Sequence, residues 1–196
     1  MTSETPPAGS QERPLELTEI VYATLPSAAR QFVDNSMLRD NPPAFEALRF
    51  FKVSHKNGDT SFAFIGKILD RDTPEHIGGV IDMRNSTSIG YARFKFLSNS
   101  MEANFKEKPL VTYSESFGGY EGQGLHRRRL EIMNILSLKG SGLPLHSDTY
   151  RARQIRATSA WKHLVREGKA VEYEEGDPAP GKRFRFKTKD EQSASE

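Results

Sequence analysis

From Ser116 to Leu136 the chain reads SFGGYEGQGLHRRRLEIMNIL. A polar, glycine-rich stretch comes first, with Gly122 and Gly124 two apart. An apolar-periodic segment follows, headed by Arg127, Arg128 and Arg129. The residues ahead of it, PLVTYSESF (109–117), favour a strand. A strand that ends in a glycine turn and opens a helix gathers outward-pointing backbone N–H groups. The positive end of the helix dipole adds to them, and the two together attract phosphate. Glycine lets the turn close tightly and lets a ligand approach the chain, because no Cβ stands in the way. Three arginines in a first helical turn oppose the dipole, and an anion at that end would account for them. A plain loop-to-helix junction with a basic face is the blander reading of the same residues. The stretch is not a P-loop, since no Gly-Lys-Ser/Thr follows. Nor is it a dinucleotide fingerprint, since no short parallel βαβ opening with a ribose-binding acid surrounds it.

The remaining pattern supplies the scaffold. Residues 1–16 are rich in Ser, Thr, Pro and Glu and read as a disordered tail, as do residues 189–196. LPSAARQFVDNSMLRD (25–40) reads as a helix, with Pro26 in its first turn, and the Asn-Pro-Pro at 41–43 stops it. FEALRFFKVSH (45–55) and TSFAFIGKILD (60–70) read as strands around the hairpin signal KNGD. HIGGVIDMRN (76–85) and IGYARFKFL (89–97) make two more, joined by a short polar turn. Residues 98–108 suggest a short helix. After the glycine turn come a helix (about 125–138), a short strand (141–147), and a helix (about 150–167) that buries Ala157, Trp161, Leu164 and Val165. A hairpin (169–187) closes the chain. This order predicts one α/β (α+β) domain over 17–188, with a central mixed, mostly antiparallel sheet flanked by helices.

Composition narrows the function. The 196 residues carry a net charge of only +2, but the sign is unevenly spread. From His126 to Lys187 there are 14 Lys and Arg against 7 Asp and Glu, so this part is +7 and the remainder −5. A basic C-terminal third suits an anionic partner, either a phosphate-bearing cofactor or nucleic acid, although a solvated charged surface has the same composition. There is no apolar run of 18 residues, which argues against a membrane span. The N-terminus lacks a secretion pattern. Cysteine is absent, which removes thiol chemistry and fits a reducing, cytoplasmic setting. The five histidines, at 55, 76, 126, 146 and 163, show no metal-ligand spacing, so no metal site is expected.

YEGQGLHRRRL (120–130) resembles the pyrophosphate loop of the GNAT acyltransferase superfamily, whose strand is followed by a turn of the type Tyr-Arg-Gly-Lys-Gly-Ile-Gly and a helix. Tyr120, Gly122, Gln123, Gly124 and Leu125 match in place. Glu121 stands where Arg or Gln is common, and His126 stands where a final Gly or Ala is expected. The layout over roughly 76–187 is also similar to the family's second half. The resemblance implies a GNAT-like fold, and a cleft that receives acetyl-CoA or another acyl-CoA. It implies transfer of the acyl group to an amine of an acceptor, which a nucleic acid or a protein would offer. It places the cofactor at Gly122, Gln123, Gly124, Leu125, His126 and Arg127, with the N–H groups of Gln123 to Arg127 on the pyrophosphate. Tyr113 and Glu115, on the strand that would line the cleft, become candidates to relay a proton from the acceptor amine. One departure bears on catalysis. The family often has a Tyr four residues before the helix-ending glycine, and this chain has Leu164 there.

Two further readings come from the residues themselves. His146 is a candidate general base beside a strand end, and Ser147 a candidate active-site group, although Ser147 and Asp148 are also ordinary helix caps. The C-terminal half also reads as a winged helix, and hence as a nucleic-acid-binding module. Arg151, Arg153 and Arg156 would then meet phosphates from the helix, and Lys182, Arg183 and Arg185 from the wing. A non-catalytic interaction protein on the GNAT fold is the third possibility.

Overall fold

A computed structural model describes residues 15–38, 45–68, 75–96, 108–121, 123–147, 155–175 and 181–193. A short strand β1 (Thr18–Ile20) and a 3-10 turn (Tyr22–Thr24) precede helix α1 (Ser27–Leu38). Four long strands follow, β2 (Phe45–Ser54), β3 (Thr60–Ile68), β4 (Glu75–Arg84) and β5 (Thr87–Phe96). Then come β6 (Pro109–Ser116), α2 (Leu125–Ser141), α3 (Ile155–Arg166), β7 (Ala170–Glu175), β8 (Gly181–Phe186) and a short α4 (Lys189–Ser193).

Strands β1 to β6 form one antiparallel meander in sequence order. The hairpin chemistry sets its register. Asn57 and Gly58 turn β2 into β3, and the Asn57 side chain bonds both the N–H and the carboxylate of Asp59. Asn85 and Ser86, with φ of 48° and 65°, make the two-residue turn between β4 and β5. Positive φ at both positions gives the turn a twist that matches the strands.

Period-2 alternation then divides the side chains between two faces. Phe50, Phe64, Ile77, Ile81 and Met83 meet Ala29, Phe32 and Val33 of α1. Phe51, Ala63, Val80, Ala92, Phe94 and Val111 meet Leu130 and Met133 of α2. The sheet is therefore covered on both faces, as an α/β layering requires.

The β7–β8 hairpin joins through a short extended segment rather than a full strand. Pro144 has no N–H to give, so pairing begins at Leu145. The His146 N–H donates to the Pro109 carbonyl (2.8 Å), and the Val111 N–H donates back to the His146 carbonyl (3.1 Å), which makes a parallel bridge to β6. On the other side the Ser147 N–H reaches the Phe184 carbonyl (2.8 Å) and the Phe186 N–H reaches the Leu145 carbonyl (3.1 Å). Across the molecule the order is therefore β6, residues 145–147, β8, β7. Trp161 of α3 stacks on Phe184 (6.0 Å, 10°) and meets Phe186 edge-on, which fixes the helix to the hairpin.

Some expectations change at the margins. Helix α2 runs on to Ser141, and the expected strand over 141–147 shrinks to the bridge at His146. Of the expected short helix over 98–108, residues 98–107 lie outside the described residues, as does the start of the helix at 150. Residues 189–193, read as tail, form α4, which the Arg185–Glu191 ion pair (2.6 Å) ties to β8.

Candidate functional site

β6, the turn after it and the first turn of α2 make one unit. Helix α2 begins at Gly124, which caps it in the left-handed region (φ 74°) without any side-chain cap. A Cβ at Gly124 would meet nothing within 4 Å, so the turn faces open space. The first helical bond runs from the Arg128 N–H to the Gly124 carbonyl (3.1 Å). The N–H groups of Leu125, His126 and Arg127 therefore have no acceptor within the helix. Gln123 is exposed, and its side chain donates to the Gly119 carbonyl (3.2 Å). Leu125 is buried and anchors the helix start in the core. Gly122 lies outside the described residues.

The first turn of α2 lies against the end of β6. Ser114 Oγ and His126 Nδ1 are 2.5 Å apart. Burial first, and then the charge of Arg129, pushes the His126 ring down to about 4, so it is neutral at physiological pH. Its Nε2 is buried and has no hydrogen-bond partner among the described residues.

The three arginines turn out to have anions of their own. Arg127 pairs with Glu167 (2.7 Å) and touches His163 Nε2 (2.7 Å). Arg128 reaches Asp59 (3.2 Å) and Asp82 (3.4 Å). Arg129 is fully buried and donates to the Glu115 carbonyl and to Ser116 Oγ, both at 2.6 Å, with Asp82 at 3.7 Å. The unfavourable placement of cations in a first helical turn is thus offset by carboxylates from β4, the β2–β3 turn and the turn after α3. A ligand is not needed to explain it.

Asp82 and Asp59 were not singled out in the sequence, and both are fully buried carboxylates. Asp82 accepts a short hydrogen bond from Ser61, whose Oγ also contacts His55 Nε2 (2.7 Å). Burial raises the Asp82 carboxyl above the usual carboxylate range, against the pull of Arg128 and Arg129. The Arg84 guanidinium holds Asp59 well below that range. The signal for Asp82 lay in HIGGVIDMR, where a carboxylate on an apolar strand demands a counter-charge on the packed face.

β6 carries a further feature with bearing on a ligand. Val111 and Tyr113 pair with Phe94 and Arg93, consecutive residues of β5, so Thr112 is an extra, bulged residue. The hydrogen bonds between β6 and residues 145–147 reach as far as Val111, immediately before the bulge. Among the described residues, β6 beyond Thr112 is paired with β5. Bulges bend a strand, and they are frequent beside active sites.

The other candidate residues separate. Tyr113 and Glu115 both lie on β6 past the bulge, and Glu115 is exposed. His146 and Ser147 instead lie in the seam between β6 and β8. His146 Nδ1 bonds the Tyr173 hydroxyl (2.8 Å). Burial, with the nearby charges of Lys108, Arg185 and Arg183, pushes the ring down to about 3. Such a weak base is poorly matched to neutral pH. Ser147 is fully buried, and its Oγ accepts the Phe184 N–H (3.0 Å). Both residues serve as strand fasteners in this geometry. Leu164 is buried in the core, so no proton donor stands there.

Of the basic residues of the winged-helix reading, Arg151 and Arg153 lie outside the described residues, and Arg156 is in the first turn of α3. Lys182 is exposed and pairs with Glu172 (2.9 Å). Arg183 is buried, and Arg185 is held by both oxygens of Glu191. A six-stranded sheet, rather than a three-helix bundle, precedes this hairpin.

Among the described residues, no group of three or more His, Cys, Asp or Glu is placed to hold a metal ion, and no helix is long and apolar enough to cross a membrane. No known protein family, curated protein or solved structure matches this chain.

Proposed function

We propose that the chain binds an acyl-coenzyme A and is an acyltransferase of GNAT type, with its cleft beside the C-terminal end of β6. The observation that carries this reading is the start of α2, where the left-handed Gly124 turn faces open space and three N–H groups have no acceptor within the helix. Ligands of open α/β sheets bind in crevices beyond the carboxyl ends of the strands. The first turn of α2 lies against that end of β6, through the contacts of His126 with Ser114 and of Arg129 with Ser116. Its free N–H groups and the open turn at Gly124 suit a pyrophosphate. The spatial order β6, residues 145–147, β8, β7 supports the same resemblance.

In the transfer, the acceptor amine would attack the thioester carbon, the carbon–sulfur bond would break, and the amine would lose a proton. Glu115, exposed on β6 beyond Thr112, is the candidate to take that proton, with Tyr113 on the same strand a candidate to relay it. With Leu164 in the core, the leaving thiolate would take its proton from water or from a residue elsewhere.

Isothermal titration with acetyl-coenzyme A tests the reading. Wild type is expected to bind with micromolar affinity. Gly124→Glu, which sets a carboxylate where the phosphates would lie, is expected to lose binding. Absence of binding to wild type at millimolar cofactor contradicts the proposal.

A further inference from the structure

Asp59 sits at the end of the β2–β3 turn, where most carboxylates would be solvated, yet its side chain is fully buried. Burying a carboxylate is costly unless it is paired. Here the pairing is dense. Arg84 donates Nε to Oδ1 (2.7 Å) and Nη2 to Oδ2 (3.1 Å), Arg128 donates to Oδ2 (3.2 Å), and Asn57 donates to Oδ2 (2.8 Å). The two-point contact fixes the plane of the Arg84 guanidinium.

That plane faces the glycine loop. Arg84 Nη2 also donates to Gln123 Oε1 (3.2 Å), and the guanidinium lies over the Tyr120 ring, 5.1 Å from its centroid. Gln123 in turn donates to the Gly119 carbonyl (3.2 Å). A chain of contacts therefore runs from one hairpin turn, through the last residue of β4, into the loop between β6 and α2. Glycine at 118, 119 and 124 leaves that loop with little stiffness of its own.

We propose that Asp59 and Arg84 form a positioning device for Tyr120 and Gln123 in the loop between β6 and α2. Asp59 aims Arg84, and Arg84 holds Tyr120 and Gln123, so that the loop is shaped before an anionic ligand arrives. The inference deepens the acyl-coenzyme A reading and rests on it for the identity of the ligand, but the bracing of the loop is a property of the free protein. Pre-shaping of this kind improves affinity by removing an ordering cost from the binding step.

The test compares wild type with Arg84→Gln, Arg84→Lys and Gln123→Ala. Gln123 is exposed, so its change leaves folding intact if the arginine changes do not. Backbone 15N order parameters of residues 119–121, 123 and 124 are measured without ligand, with melting temperature as the control for the fold. In wild type they are expected near about 0.85, and in Arg84→Gln and Gln123→Ala below about 0.6. Arg84→Lys, which keeps the charge but loses the fork, is expected to fall between. Acetyl-coenzyme A is then titrated into the same samples, and about tenfold weaker binding is expected for Arg84→Gln than for wild type. Unchanged order parameters overturn the device, and so does measurable binding of equal affinity in wild type and Arg84→Gln. A loop that loosens in the variants of a protein that never binds the cofactor supports the brace and sinks the acyl-coenzyme A reading.

Discussion

Gly90 shows how tightly single positions are constrained around α2. A Cβ there would lie 2.1 Å from Arg129 Nη1 and 2.5 Å from the Glu115 carbonyl oxygen, and φ is 158°. The residue is glycine because a buried guanidinium crosses the strand at that point on its way to Glu115 and Ser116. Gly90→Ala must therefore push Arg129 and β6 apart, at a cost of about 1–3 kcal/mol, the range for overpacked sites. Urea unfolding measures that loss. A second residue-scale expectation concerns pH. His146 is neutral in the fold down to about 3, whereas an unfolded histidine titrates near about 6.5. Between those values the unfolded chain binds a proton that the folded chain does not. Stability is thus lost as pH falls from about 6.5, by up to about 1.4 kcal/mol per pH unit for this group, until it levels near 3. Denaturant melts of wild type and His146→Gln across this range should show a steeper acid loss in wild type. Parallel curves would mean that His146 is not the buried neutral ring described.

At the scale of elements, what was legible followed local rules. Asn57-Gly58, the apolar alternation of β2 to β5 and the glycine turn before α2 each encode their own geometry, and each forms as read. The long-range pairings were not legible, because nothing local announces them. Arg129 belongs to a residue type that is seldom buried, and its partner Asp82 lies 47 positions away. The brace joins Asp59 to Arg84 and Arg84 to Gln123 across 25 and 39 positions. The bulge at Thr112 depends on the register with β5, which periodicity does not specify. The role given to His146 and Ser147 by their place beside a strand end also changes once β8 is seen to bond them. That hairpin depends on α3 through Trp161, which is buried between Phe184 and Phe186. Trp161→Ala is expected to cost about 3–5 kcal/mol, as other large buried aromatics do. In such a variant, hydrogen exchange should rise first in β7 and β8, and uniform loss across β2 to β5 would contradict this division of the core.

Over the whole molecule, the charge asymmetry acquires a different meaning. Much of the basic C-terminal third is turned inward or paired, with Arg129 and Arg183 buried and Arg127, Lys182 and Arg185 on carboxylates. Most of these pairs close within the C-terminal part itself, whereas Arg128 and Arg129 cross to Asp59 and Asp82 and tie α2 to the sheet. Among the described residues, the turn at Gly124 faces open space, and the N–H groups of Leu125, His126 and Arg127 behind it have no acceptor within the helix. The proposed function makes this turn and the end of β6 one cofactor site. Mapping acetyl-coenzyme A onto the protein by 15N-resolved NMR tests that claim most directly. The account expects shifts that saturate together at Gly119 to Arg127 and at Thr112 to Ser116, with β2 and β3 unmoved. Millimolar cofactor that leaves both segments unshifted, or that shifts a different face of the sheet, would contradict it.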